Sequence, residues 1–164
     1  MTIRVEIVGE PSKYMKRAAE ITSGKLVPNE KVNGLSRRLL RAEHSPARLM
    51  MYWIEVDDVP ERAVMHLVRH KIGVEWFVST SRPDLTDADG KRRNIGFMVN
   101  HQALVNIARR RLCARAWHET RELVGLIKAN LPGVTADRMV PECEFRGGWC
   151  HEPKSCGRCP AAED

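Results

Sequence analysis

The 164-residue chain has no apolar stretch long enough to cross a bilayer, no internal repeat and no low-complexity tract. The first of these argues against a membrane partner. The opening segment, TIRVEIVGE, reads as a strand and not as the charged-then-apolar pattern of a signal peptide, so the expected location is the cytoplasm. Cysteine is nearly missing from most of the chain. Cys113 is the one thiol before residue 143, which excludes a secreted disulfide framework spanning the whole domain. Acidic residues are also short, with 21 Asp and Glu against 27 Lys and Arg, giving a formal charge of +6 and a pI near 9.3. That balance favours an anionic partner, either nucleotide phosphates or nucleic acid.

What is present is globular: 43% hydrophobic and 29% charged residues exclude a disordered chain, and the length suits one domain with a real core. Ile3, Val5 and Ile7 alternate with Arg4 and Glu6, as in a strand with one buried face. A helix is expected over residues 11 to 22, with Pro11 in its first turn and Gly24 as its stop. VNGLSRRLLRAEH, from Val32, carries helical spacing that Ser45-Pro46 breaks. MMYWIEVDDV, from Met50, is a second strand, and Pro60 opens the next helix. RPDLTDADGKRRN reads as a polar loop with an Asp-Gly turn, IGFMVN as a short strand, and residues 100 to 130 as one long helix ended by Pro132-Gly133. Strands interleaved with helices give an α+β architecture over residues 1–140, followed by a Cys-rich tail, 141–164.

The densest chemistry lies in HLVRHKIGVEWFVSTSR, residues 66 to 82. Arg69 offers a planar fork for phosphate or carboxylate, Lys71 a point charge, and His70 a donor or acceptor near neutral pH. The same cations would also suit a solvated helix C-terminus. In the tail, Cys143, Cys150, Cys156 and Cys159 form C-x6-C-x5-C-x2-C with His151 nearby. Such thiolates suit tetrahedral zinc, with iron-sulfur ligation or plain thiols as alternatives. Cys113, read within the long helix, is expected to be a buried structural thiol.

Arg69-His70-Lys71, seven residues and then Ser79 resembles the signature of flavin-dependent thymidylate synthases, Arg-His-Arg, seven residues, Ser. The likeness extends upstream through EHSPARLMMYWIEVDDVPERAVMHLVRHK and downstream through NHQALVNIARRRLCARAWHETREL, where Asn100, Asn106 and Arg111 keep the family's spacing. The tail PECEFRGGWCHEPKSCGR resembles a cysteine-containing ending of some members. The resemblance implies an antiparallel sheet with flanking helices, assembled as a homotetramer with active sites between subunits. It implies reductive methylation of dUMP to dTMP, with methylenetetrahydrofolate as carbon donor and NADPH reducing a bound FAD. Arg69, His70, Lys71, Ser45, Asn100 and Asn106 would then meet the flavin. Arg82, Ser79, Thr80, His66 and Arg111 would meet the nucleotide, Arg111 polarising the uracil. Asn100 is equally the expected N-cap of its helix.

The chain also departs from that family. Lys71 replaces an arginine, His66 a glutamine, and Trp76-Phe77 an Asn-Glu pair. Glu43-His44-Ser45-Pro46 with Arg48 alters the upstream turn, Arg82 stands three residues after Ser79, and the segment between Arg82 and Asn100 is short. Two alternatives therefore stay open. One is a relative acting on another pyrimidine nucleotide or without catalysis; the other is a zinc-containing nucleic-acid-binding module.

Overall fold

The computed structural model describes residues 1–24, 34–80, 82 and 91–162. The start of the expected helix at Val32 and most of the polar loop, with its Asp-Gly turn, lie outside the described residues. Four strands, β1 (Thr2–Ile7), β2 (Met51–Pro60), β3 (Val74–Val78) and β4 (Arg92–Asn100), form one antiparallel sheet in the order β1-β2-β4-β3. The helices are α1 (Pro11–Ser23), α2 (Leu35–Arg41), α3 (Glu61–Leu67), α4 (His101–Arg111), α5 (His118–Ala129), α6 (Gly133–Ala136) and α7 (Glu142–Phe145), with a 3-10 turn over Ser45–Leu49. The α+β fold, with an antiparallel sheet and flanking helices, is as the sequence and the resemblance imply.

Period-two burial fixes the sheet's orientation. Tyr52, Ile54 and Val56 of β2 and Ile95, Phe97 and Val99 of β4 all point to the core, where they meet Leu104 and Ile107 of α4 and Leu123 and Ile127 of α5. The opposite face is more open. There Trp53 lies over Gly96, whose missing Cβ would come 3.2 Å from the indole, and reaches Phe77 at 5.7 Å between centroids.

Three local expectations need correction. The single helix over residues 100 to 130 is two helices, α4 and α5, joined by a corner at residues 112–117. The corner contains no Gly or Pro and is held by tertiary bonds: Arg121 donates to the Ala114 carbonyl at 2.9 Å, and Arg115 to the Lys154 carbonyl at 2.6 Å. Cys113 is consequently a half-buried corner residue and not a buried helical one. Finally, β3 was not anticipated; it starts after Gly73, whose φ of +74° turns the chain out of the charged segment.

One chain of bonds satisfies the buried polar groups of Tyr52, Thr135 and His101. Tyr52 Oη lies 2.6 Å from Thr135 Oγ1, which lies 3.0 Å from His101 Nδ1, while His101 Nε2 donates to the Leu40 carbonyl at 3.1 Å. Since that carbonyl only accepts, Nδ1 accepts from Thr135 and Thr135 from Tyr52. His101 is neutral in this arrangement, and burial holds its pKa below the ordinary value.

Candidate functional site

Loop 68–73 runs from the end of α3 along α4 and touches it at both ends. At one end, Arg111 Nε donates to His70 Nε2 at 3.0 Å. The acceptor nitrogen must carry its lone pair, so the His70 proton sits on Nδ1. Burial, then the charges of Arg111 and Arg110, hold the His70 pKa below its ordinary value and keep the ring neutral. The His70 backbone is fixed too, its carbonyl accepting from Trp76 Nε1 at 2.7 Å. At the other end, the Asn100 amide N–H donates to the Gly73 carbonyl at 3.0 Å, and the Asn100 side chain packs directly on Gly73. Asn100 caps α4 as expected, its Oδ1 accepting from the Ala103 N–H at 2.8 Å.

The charge balance around His70 is one-sided. Burial and the neighbouring Arg69 and Arg110 lower the pKa of Arg111; burial, then Arg111, Arg69 and Arg62, lowers that of His66, whose Nδ1 lies 3.1 Å from Thr120 Oγ1. Among the described residues no carboxylate pairs with Arg69 or Arg111. Arg62 instead lies over the Trp117 ring at 4.3 Å, and with His66, Arg69 and Glu61, whose carboxylate is paired with Arg93, it lines a shallow hollow. Such a set is preorganised for an anionic or electron-rich group.

Other expected residues lie elsewhere. Asn106 is turned by about 240° from Asn100 on the α4 wheel. It accepts from Gln102 at 3.2 Å, on the face where Glu43 binds Arg109, Arg138 and Gln102. Ser45 is exposed at the start of the 3-10 turn, two residues after Glu43, and Lys71 is exposed in the loop. Ser79, Thr80 and Arg82 stand at the far end of β3; from Gly73 to Ser79 an extended chain covers roughly 20 Å at about 3.3 Å per residue. There Ser79 Oγ accepts from the Asn94 N–H and Thr80 Oγ1 from the Arg82 N–H, both at 3.1 Å. One chain thus assembles His66, Arg69, His70 and Arg111, with Asn100 along the same loop, and leaves Ser79, Thr80 and Arg82 apart.

Glu43 was legible only as an altered turn, yet it organises the second face of α4. Burial alone would raise its pKa, but bonds from Gln102, Arg138 and Arg109 and the Arg109 charge outweigh this and hold it at about 2. Gly73 was also missed, although a glycine just before a β-rich run marks such a turn.

The tail packs against the 112–117 corner. Among the described residues no group of three or more His, Cys, Asp or Glu stands together so as to hold a metal ion. A cavity of about 280 Å³ is lined instead by Cys113, Cys143, Cys150 and Cys156, with Arg109–Arg111 on its wall.

No family profile matches the sequence, and no curated protein does. Solved structures do match. The flavin-dependent thymidylate synthase ThyX from Helicobacter pylori, in complex with FAD and dUMP, superposes with a TM-score of 0.68 at 13% identity, covering 84% of this chain and 97% of that one. A second structure of that enzyme with the same ligands gives 0.67 at 13% identity, over 83% and 97%. The UMP/dUMP methylase PolB from Streptomyces cacaoi, bound to 5-Br dUMP, gives 0.50 at 16% identity, over 84% and 94%. The chain therefore has the fold of the flavin-dependent thymidylate synthases. No helix among the described residues is long and apolar enough to cross a membrane.

Proposed function

We propose that this protein is a flavin-dependent enzyme that methylates the uracil ring of a pyrimidine nucleotide. The observation that carries this reading is the cluster in which Arg111 donates to a neutral His70 beside Arg69, neither arginine being paired with a carboxylate among the described residues. Those groups fit a cofactor rich in phosphate and carbonyl oxygens: Arg69, His70, Lys71 and Asn100 would hold FAD, whereas Asn106 and Ser45 stand beside Glu43, away from this cluster. When bound, the flavin supplies hydride, with NADPH as its reductant and methylenetetrahydrofolate as the carbon donor.

The protein's part is positioning and electrostatics. The Arg111 guanidinium would stabilise the negative charge that develops on a uracil carbonyl as the ring is activated. His70 presents Nδ1–H as a donor while its other nitrogen is committed to Arg111. Ser79 or Thr80 with Arg82 grips the nucleotide phosphate, and His66 borders the same pocket. Because those phosphate ligands sit at the far end of β3, the reading calls for a homotetramer in which Arg82 of one copy would meet His70 and Arg111 of another.

The altered signature bears on the substrate. Trp76 Nε1 is committed to the His70 carbonyl and Phe77 is exposed, so neither supplies the polar contacts of an Asn-Glu pair. UMP stands beside dUMP as a substrate for that reason, as it does for PolB. The test is to purify the protein, record its visible spectrum with and without FAD, and repeat with His70→Ala. Flavin bound by the wild type and lost in the variant, with turnover of dUMP or UMP, is expected. A protein that cannot be loaded with flavin and binds DNA or RNA in a salt-steep manner would overturn the proposal in favour of a nucleic-acid-binding module.

A further inference from the structure

From residue 142 to 162 the buried side chains are Cys143 and Cys150 alone, while Phe145 and Trp149 are 43% and 50% exposed. A segment with so little apolar burial is held by its polar ties to the rest of the fold. Those ties converge on the α4–α5 corner. Arg110 pairs with Glu152 at 2.9 Å, and Arg115 donates to the Lys154 carbonyl at 2.6 Å, one on either side of Cys113 along the chain. They deliver Cys156 to the corner. There the Ala114 N–H donates to the Cys156 sulfur, as does the Arg158 N–H from the tail, and the Cys113 thiol lies against it.

The two sulfurs are unequal. N–H donors from corner and tail favour negative charge on Cys156, and in the contact between the thiols Cys113 is the donor. Both residues are half-buried, within reach of solvent, and both line the cavity of about 280 Å³. Two carboxylates also line it, Glu142 and Glu152, but each is paired there, with Arg146 at 2.7 Å and Arg110 at 2.9 Å. Arg111 and Arg115 have no carboxylate partner among the described residues, which leaves the wall with an excess of positive charge. Such a cavity favours an anionic small molecule beside the thiols. Cys143 and Cys159 also touch, but Cys143 is buried and Cys159 does not line the cavity. A reagent in the cavity therefore meets the Cys113 and Cys156 pair first.

We infer that Cys113 and Cys156 are a thiol–disulfide exchange pair, oxidised by an anionic low-molecular-weight disulfide to a bridge that locks the tail onto the end of α4. The Cys156 thiolate attacks one sulfur of the small disulfide. That S–S bond breaks, one small thiolate leaves and takes a proton from water, and a mixed disulfide remains on Cys156. Cys113 then gives its proton to solvent and attacks the Cys156 sulfur, expelling the second small thiolate, which is protonated in turn. Two protein thiols are oxidised and one small disulfide is reduced to two thiols. Excess small thiol reverses both steps, so the state of the bridge follows the ratio of disulfide to thiol. The bridge lies two residues beyond Arg111 and fixes the end of the helix that carries the contact to His70. Neither step involves a flavin or a nucleotide.

The experiment uses the full chain, reduced, desalted and incubated with oxidised glutathione at set ratios to glutathione, then alkylated and mapped by peptide mass spectrometry without reduction. The expected first product is a Cys113–Cys156 linkage, lighter by two hydrogens than the reduced chain and reopened by a thiol reductant. Since the bridge closes a loop of roughly 40 residues, the oxidised protein should melt roughly 5 to 10 °C higher, and amide exchange over residues 112–117 should slow. In Cys113→Ser the glutathione adduct should persist on Cys156, whereas Cys156→Ser should leave Cys113 unmodified under the same conditions. Mapping in the wild type decides the pairing even where a serine variant does not fold. A wild type that keeps all five thiols, an adduct that never resolves, or Cys143 linked to Cys159 ahead of this pair would each overturn the inference, as would stoichiometric metal held by these sulfurs. Thiol mapping does not register flavin, so a chain that forms the bridge and never binds FAD would refute the flavin reading alone.

Discussion

Arg109 and Arg111 stand two residues apart on α4 and meet opposite surroundings. Arg109 is 13% exposed, donates to both oxygens of Glu43 at 2.7 and 2.6 Å, and lies over the Phe145 ring at 3.5 Å. Among the described residues no carboxylate pairs with Arg111, which faces a neutral histidine and other cations. On the first side, opposite charges neutralise each other and fasten α4 to the α2–β2 turn and to Arg138 beyond α6. On the second, like charges are held near one another with no internal compensation. Charge that folding does not use is charge left for a ligand, and burial on both sides makes the contrast one of pairing and not of exposure.

The comparison breaks most visibly at Glu43. Replacing it with Gln leaves Arg109 and Arg138 half-buried without their anion, which costs about 3 kcal/mol, at the lower end for a broken buried pair. The melting temperature should fall by roughly 6 to 12 °C, with flavin binding by the surviving folded protein little changed. A fall in flavin affinity with no loss of thermal stability would reverse the roles of the two faces.

A smaller effect should follow at Gly73, where loop 68–73 meets the start of α4. In Gly73→Ala the new Cβ would come 2.4 Å from Asn100 Nδ2, in a backbone conformation that costs a non-glycine residue about 1 to 2 kcal/mol. Chemical denaturation should show a loss of roughly 2 kcal/mol, part of it from the displaced cap of α4. Unlike the Glu43 variant, this one should weaken flavin binding too, because the same loop carries His70. Unchanged binding would show that the loop tolerates movement at its Asn100 end.

These two positions also mark how far the sequence could be read. β1 and β2 were visible in alternation and β-branched composition, and Asn100 in its cap position, since those signals are local. The α4–α5 corner was not, because no residue between Leu112 and Trp117 breaks a helix by itself; Arg115 and Arg121 hold it through bonds to distant or neighbouring carbonyls. β3 was hidden because Gly73 divides a segment that reads as one charged run. In the site, His70 and Arg111 were singled out by motif spacing, but their contact spans 41 residues. The Glu43 network was illegible: its partners lie 66 and 95 residues away, and its own φ of +53° is a conformation that sequence does not assign to glutamate.

The smallest expected effect sharpens the comparison most, because it separates charge from fold. Arg111→Gln removes a cation from a cluster of cations, so stability at pH 8 should change by no more than about 0.5 kcal/mol, the range of substitutions that break no buried pair. The pH dependence should change more clearly. With Arg111 present, the folded-state pKa of His70 is below its unfolded value of about 6.5. The unfolded chain therefore takes up a proton first as the pH falls, and the stability His70 contributes, present above that value, is lost on descending through the folded pKa. Removing the Arg111 charge and its hydrogen bond should move the His70 titration, followed by NMR of the ring protons, back towards the ordinary value. That part of the acid destabilisation should shrink, while the contribution of buried His101, on the Glu43 side of the molecule, should persist. A His70 titration unmoved by Arg111→Gln would mean that burial alone keeps the ring neutral, and that the two arginines differ less in their electrostatic work than in their partners.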